Sequence, residues 1–314
     1  MARKLRVAVF FGGPSIEHDV SLLSGEAVRQ ALAKDKYEIL PVLVSRSGRW
    51  SVEPEELKDQ VDLVFNTLKG EYGEDGTLQQ FLRELNLPYV GSGVLSSALA
   101  LNKDLTAKLL RASGIQVPRS TLIEQWPTNE IELDFDLPAI VKPVNRGSSL
   151  GVSLVRREEE LFPAIEKALN LSRQALVEEY VSGREIVCLL FDEGDEEIIP
   201  LPLVEVVSGV RGFYDHYSKR QPGAARLIAP ARLSEEEGDL IQGIALAIHK
   251  IMDTSGLLEV NFIETEGGEP YVLEVNTVPS FADHGPLVQA AKAHGLTLTE
   301  LLERVIEKAY AESS

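Results

Sequence analysis

Residues 258–276 read "LEVNFIETEGGEPYVLEVN", and Leu-Glu-Val-Asn occurs in them twice, the second copy fifteen positions after the first. An acidic, glycine-rich stretch (264–270) separates two arms rich in β-branched and aliphatic residues. That pattern predicts two antiparallel strands joined by a turn. Side chains two apart on a strand share a face. Glu259 and Asn261 therefore project together, as do Glu274 and Asn276. Folded over, the ribbon brings these oxygen-bearing side chains to one spot. Such a set suits a hard cation such as Mg²⁺, which takes oxygen ligands and shares them with phosphates. Read alone, the same alternation also describes an amphipathic hairpin with a solvated polar face.

The chain around the hairpin has 314 residues, too many for one typical core and enough for two or three domains. With 44% hydrophobic and 25% charged residues it reads as a soluble globular protein. No apolar run is long enough to span a bilayer, and the start, "MARKLRVAVFFGG", reads as a strand and loop without a signal-type cleavage region. A cytoplasmic location and no membrane partner are expected. The single cysteine, Cys188, excludes an internal disulfide and fits a reducing compartment; within "IVCLLF" it reads as core. A net charge of −18 without a basic block argues against nucleic acid and anionic membrane as partners. Any phosphate chemistry would need its positive groups placed locally. The histidines (18, 216, 249, 284, 294) lack ligand spacing, so no zinc site is expected.

Three units are expected along the chain. Residues 1–91 alternate strand and helix, as in a small open α/β sheet, whose strand-end loops are the usual ligand sites. In its first helix, Val20, Leu23, Ala27, Val28, Ala31 and Leu32 form the expected buried stripe. Residues 92–181 mix a long helix, "SALALNKDLTAKLLRA", with strands around a Gly-Ser loop and read as α+β. Residues 182–314 hold the hairpin, further strands, a long loop at 208–232 and two helices. Those helices open with the capping boxes Ser234/Glu237 and Thr297/Glu300.

The second chemical signal is "KPVNRGSSLGVSL" (142–154). Gly147, Ser148, Ser149 and Gly151 allow backbone N–H groups and hydroxyls to close on an anion, and Lys142 at the strand end adds a point charge. A flexible surface hairpin would look the same in isolation. Neither a P-loop nor a G-x-G-x-x-G fingerprint occurs, which argues against a dinucleotide-dependent oxidoreductase. A third stretch, "VEEYVSGREI" (177–186), sets Glu178, Glu179 and Glu185 around a strand junction, where a solvated charge cluster is the simpler reading.

In this order and spacing the Gly-Ser loop, acidic linker and Glu-x-Asn hairpin resemble the ATP-grasp ligases. "FFGGPSIEHDVSLLSG" (10–25), "GEDGTLQ" (73–79), "LNKDLTAKLL" (101–110) and "FYDHYSK" (213–219) narrow the resemblance to the D-alanine–D-alanine ligases, over essentially the whole chain. The resemblance implies a three-domain ATP-grasp architecture, ATP, Mg²⁺ (two ions, with Mn²⁺ as a substitute) and a cytoplasmic homodimer serving peptidoglycan synthesis. It implies that one D-alanine is phosphorylated on its carboxylate and that a second attacks the acyl phosphate. By the same resemblance Lys103 and Lys142 hold ATP phosphates beneath a loop containing Ser148 and Ser149. Glu178, Glu179 and Val181 belong to the adenine-binding linker, Glu185 takes the ribose hydroxyls, and Phe213 lies against the base. Glu17 holds the first substrate's ammonium with Ser148 hydrogen-bonded nearby. Lys219, with Arg220 beside it, reaches in from a loop expected to act as a lid. Asn261, Glu274 and Asn276 fall on the magnesium positions.

Several positions depart from the family. Asn261 stands for an aspartate, Glu259 for an arginine, Lys69 for a histidine, and Arg220 for a tyrosine that joins Ser148 and Glu17. Ser280 replaces a glycine and Gly285 a serine. The nucleotide side fits and the acceptor side does not. Two readings therefore accompany the D-alanine ligase: a ligase for a different amino acid, and a nucleotide-binding protein that has lost turnover.

Overall fold

The computed structural model describes residues 3–127, 131–192, 198–208 and 225–313. Val7, Ala8, Val9 and Phe10 are all fully buried, as in a strand covered on both faces. They belong to β1 (Leu5–Gly12), inside a parallel sheet ordered β2-β1-β3-β4, with β2 at Tyr37–Val44, β3 at Leu63–Asn66 and β4 at Tyr89–Val90. Helix α1 (His18–Ala31) packs through Val28 on the face of Val7 and Val9. The opposite face, with Ala8 and Phe10, meets α2 (Pro54–Gln60) and α3 (Thr77–Glu84). The strand-end loops at 12–17 and 66–76 thus leave the sheet's carboxyl edge together.

The stripe expected on α1 holds in its second half, where Val28 and Leu32 are buried and Ala27 and Ala31 pack against the core, and fails in its first. The buried residues of α1 are Ser21, Ser24, Gly25 and Val28, while Leu23 is 70% exposed. Polar groups decide the orientation: Ser21 accepts from the Gly12 N–H (2.9 Å) and donates to the Thr67 carbonyl (2.9 Å). A Cβ on Gly25 would meet the Phe11 side chain at 2.4 Å, so the helix sits too close to β1 for a larger residue.

The expected helix at 97–112 is two helices, α4 (Val94–Leu101) and α5 (Lys103–Ala112). Between them Asn102 is extended, and its side chain accepts from the Leu105 N–H (3.1 Å) as the cap of α5. Both helices pack with Ile186, Cys188 and Val260. An antiparallel sheet follows, ordered β5-β8-β6-β7: β5 (Ser120–Ile123), β6 (Ala139–Pro143), β7 (Ser153–Val155) and, after α6 (Leu161–Leu169), β8 (Ala175–Glu179).

The third sheet is ordered β12-β11-β9-β13-β14, with β10 (Ile198–Pro200) on β9 (Arg184–Asp192). Strand β11 is Val204–Ser208, and β13 (Leu257–Glu264) with β14 (Pro270–Asn276) is the hairpin of the repeated tetrapeptide. Strand β12 (Ala225–Ile228) pairs with β11, so part of the stretch expected as a loop at 208–232 is a strand, and residues 209–224 lie outside the described residues. Arg232 beyond β12 is bound to Glu205 (2.5 Å). Helix α7 (Glu235–Met252) carries the predicted capping box, and Thr297 with Glu300 caps α9 (Leu298–Ser313) after α8 (Pro286–Ala293). Cys188 is fully buried and its thiol is pushed up to about 12 by burial, in keeping with a packing role. One core joins Val7, Val9 and Phe65 to Val187, Leu189 and Phe191 and to Leu301 and Val305, so the first and third sheets grip the same apolar mass.

Candidate active site

The hairpin register carries the first part of the site. Glu259 lies opposite Asn276, and Asn261 opposite Glu274. The register shifts between Asn261 and Phe262, leaving Leu273 without a partner in the ladder. Glu259 Oε1 accepts from Asn261 Nδ2 and Asn276 Nδ2, both at 3.3 Å. The expected convergence of these side chains is thus the observed one.

Two buried lysines cross from neighbouring elements to this hairpin. Lys103, the first residue of α5, meets Glu274 at 2.8 Å and donates to the Arg146 carbonyl at 2.6 Å. It therefore ties the root of the Gly-Ser loop to β14. Lys142, at the end of β6, meets Glu178 of β8 at 2.6 Å and points to the Leu273 carbonyl at 3.4 Å. The bulged residue supplies that carbonyl. The two lysines concentrate positive charge in an otherwise acidic chain. Arg146 is fixed from outside by Glu71 (2.8 Å) and the Leu171 carbonyl (2.6 Å).

The Gly-Ser loop reaches the first sheet. Ser148 and Ser149 both have left-handed backbone, φ +52° and +54°, a conformation that side chains other than glycine rarely adopt. Ser148 Oγ donates to Glu17 Oε1. A Cβ on Gly147 would stand 3.0 Å from Glu17 Oε2, so a larger residue there would press on the Glu17 carboxylate. Glu17 is buried at the start of α1, its N–H held by Ser15 Oγ (3.1 Å), and its Oε2 has no hydrogen-bond partner among the described residues. Asn145 Oδ1 and Thr277 Oγ1 are buried and unsatisfied in the same way, at the Gly-Ser loop and beyond β14.

Beneath Glu17 lies a buried ion pair. Glu74 accepts from the Gly70 N–H (2.5 Å) and faces Lys69 Nζ at 3.6 Å, while Lys69 also donates to the Val278 carbonyl. Burial pushes the Glu74 carboxyl up to about 7, Lys69 acts against that rise, and Glu17 adds to it. Glu74 lies within "GEDGTLQ", where no local pattern sets it apart as a functional residue.

Neighbouring positions on β8 divide. Glu178 faces Lys142, but Glu179 faces Arg119, whose side chain (2.7 Å) and N–H (2.9 Å) both bind it. Adjacent strand residues point to opposite faces, so the Glu179 carboxylate is turned from the lysine cleft. Val181 follows Tyr180, whose N–H is bound to Pro138 (3.1 Å). Glu185 stands on β9 opposite Ile263, on the sheet face that carries Asn261 and Glu259. Phe213, Tyr214, Lys219 and Arg220 lie outside the described residues.

Fold and site define the class: an ATP-dependent ligase of ATP-grasp architecture. The VanG D-Ala:D-Ser ligase of Enterococcus faecalis superposes with a TM-score of 0.85 at 32% identity, covering 98% of this chain and 100% of the other. The D-alanine–D-alanine ligase of Bacillus anthracis complexed with ATP gives 0.82 at 29% identity, covering 98% of each chain. In sequence, the D-alanine–D-alanine ligase of Pelotomaculum thermopropionicum is 37% identical, over 97% of this chain and 96% of its own length. Family models described as D-ala D-ala ligase N-terminus and C-terminus match residues 6–60 and 51–92, and residues 109–307. The chain belongs to the D-alanine–D-alanine ligase family.

Proposed function

We propose that this chain joins two D-alanines, converting ATP to ADP and phosphate, and so supplies D-alanyl-D-alanine for peptidoglycan. The observation that carries this reading is the Ser148–Glu17 contact. It leaves one buried carboxylate oxygen without a partner, set to accept from the ammonium group of the first amino acid. The carboxylate of that amino acid attacks the γ-phosphorus and ADP leaves. Lys103 and Lys142 hold the nucleotide phosphates and offset the charge that develops. The amine of the second D-alanine then attacks the acyl carbon, and phosphate departs. Positioning and electrostatics do most of the work.

Magnesium belongs to the same proposal. Among the described residues no group of three or more His, Cys, Asp and Glu side chains could hold a metal, and Mg²⁺ commonly needs only one or two carboxylates beside phosphate oxygens. Asn261 and Asn276 flank Glu274 on one face of the hairpin, and this all-oxygen donor set fits the ion. When bound, it neutralises charge on the transferring phosphoryl group. The remaining site assignments (Ser149, Glu178, Val181, Glu185, Phe213 and Lys219 around nucleotide and substrate) are carried over from the family, with Glu179 acting through its backbone; Arg220, where the family has a tyrosine, is placed beside Lys219 at the substrate. A cytoplasmic homodimer is carried over likewise; among the described residues no helix is long and apolar enough to cross a membrane.

A different acceptor is the second reading. It is favoured by Glu259, a carboxylate at the transfer site, and by Lys69, a buried cation tied to the segment after β14. The similarity to a ligase named for D-Ala and D-Ser points the same way. The test is a panel of amino acids scored by phosphate release and by product mass. D-alanyl-D-alanine as the main product supports the first reading, a mixed dipeptide supports the second, and ATP binding without any product removes both.

A further inference from the structure

We infer that Glu259 is itself a ligand of the divalent cation and supplies the anionic oxygen from the β13 arm. This rests on the metal site proposed above and deepens it. Glu259 is 9% exposed, so its carboxylate is largely withdrawn from water. Elsewhere in the cleft Glu274 has Lys103 at 2.8 Å, Glu178 has Lys142 at 2.6 Å and Glu74 has Lys69 at 3.6 Å, while the buried Glu17 is bound by the Ser148 hydroxyl. Among the described residues the partners of Glu259 are two amides, Asn261 and Asn276, each at 3.3 Å. Those contacts are longer than an ordinary N–H···O bond and carry no charge. A buried carboxylate held only by neutral amides is costly, and a cation is what offsets it.

The amides fit the same account. Each side-chain amide has an oxygen as well as a nitrogen, and turning it over presents the oxygen to the point now served by its N–H. Both amides already converge on Glu259 Oε1, so a cation there gains oxygens from both arms of the hairpin. Glu259 and Asn261 share a face two residues apart. The negative charge that Asn261 lacks is therefore available from its neighbour on the same strand. With Glu274 opposite Asn261, each arm then brings one carboxylate to a doubly charged ion.

The test is Mn²⁺ binding to the full chain in the presence of a non-hydrolysable ATP analogue, read from the electron paramagnetic resonance of free and bound ion. Glu259→Gln keeps shape and removes charge, and it should weaken Mn²⁺ by about tenfold or more. Analogue affinity without metal should not fall, because the substitution removes a negative charge beside the phosphates. Adding Asn261→Asp to Glu259→Gln should bring Mn²⁺ affinity most of the way back, because the charge returns to the same face. If Glu274→Gln weakens Mn²⁺ while Glu259→Gln does not, Glu259 is no ligand and the metal site itself stands. If neither variant changes Mn²⁺ binding, the metal site is misassigned and the inference falls with it. A loss in Glu259→Gln that Asn261→Asp does not repair would overturn the inference too, because the charge then serves another purpose.

Discussion

The two sides of the cleft handle buried charge differently. On the nucleotide side, Lys103 with Glu274 and Lys142 with Glu178 form direct pairs at 2.8 and 2.6 Å. On the amino-acid side, Glu17 has an unpartnered oxygen, Glu74 meets Lys69 only at 3.6 Å, and Glu259 is held by amides. One side is balanced before any ligand arrives. The other carries excess negative charge, which an ammonium group or a metal ion would complete. On the assignment proposed above, phosphates meet lysines already in place, whereas the amino acid enters a site that is electrostatically unfinished.

If that contrast holds, the largest effect should come from the unfinished side. Glu17→Gln should lower kcat/KM for D-alanine by roughly a hundredfold, the order expected when a buried charge loses its partner. ATP affinity should stay within about twofold, since no nucleotide contact is assigned to Glu17. A comparable loss in ATP affinity would break the separation of the two sides. Next, Lys142→Met should weaken ATP by about tenfold or more and lower stability by about 3 kcal/mol, because Glu178 is left buried without its cation. Calorimetry with the nucleotide and thermal melting without it read the two effects separately.

The Glu74–Lys69 pair gives a smaller, pH-dependent effect. The Glu74 carboxyl is raised from 4.5 to about 7, so the folded chain holds its proton more tightly than the unfolded chain. Its contribution to stability is therefore full below the unfolded value and is lost as pH rises towards 7. Glu74→Gln should remove that loss, so its melting temperature should gain on the parent between pH 4.5 and 7 and hold the gain above. Parallel melting curves would exclude this group. The smallest effect is expected at Glu179. Its partner Arg119 is exposed, so Glu179→Ala should cost less than about 1 kcal/mol and leave ATP affinity unchanged. A drop in affinity would mean that the side chain turns to the nucleotide.

Much of this was legible in the sequence, for reasons particular to each element. The hairpin could be read because period-two alternation fixes which side chains share a face, and the observed pairs Glu259–Asn276 and Asn261–Glu274 follow from it. The capping boxes at Ser234 and Thr297 could be read because a cap is a local matter. What the sequence hid is tertiary. On α1 the stripe is legible at Val28 and Leu32 but not in the first turns, because Ser21 and Ser24 look polar until Gly12 and Thr67 are found beside Ser21. The break at Asn102 hid inside strong helix formers, although an asparagine before a lysine-aspartate pair is a usable cap signal. The opposite orientations of Glu178 and Glu179 follow from strand alternation, and an adjacent acidic pair could have raised that question. The Lys69–Glu74–Val278 link joins segments about two hundred residues apart, and no local pattern announces it.

The most direct test of the account is the fate of oxygen from the amino acid. With D-alanine labelled with ¹⁸O in its carboxylate, an acyl phosphate intermediate passes one labelled oxygen to each phosphate released. The account predicts that mass analysis finds one ¹⁸O in each phosphate, together with D-alanyl-D-alanine. Unlabelled phosphate, formed at the same rate with or without D-alanine, would contradict it: the lysine-lined side would then deliver ATP to water, and the side of Glu17 would complete no reaction.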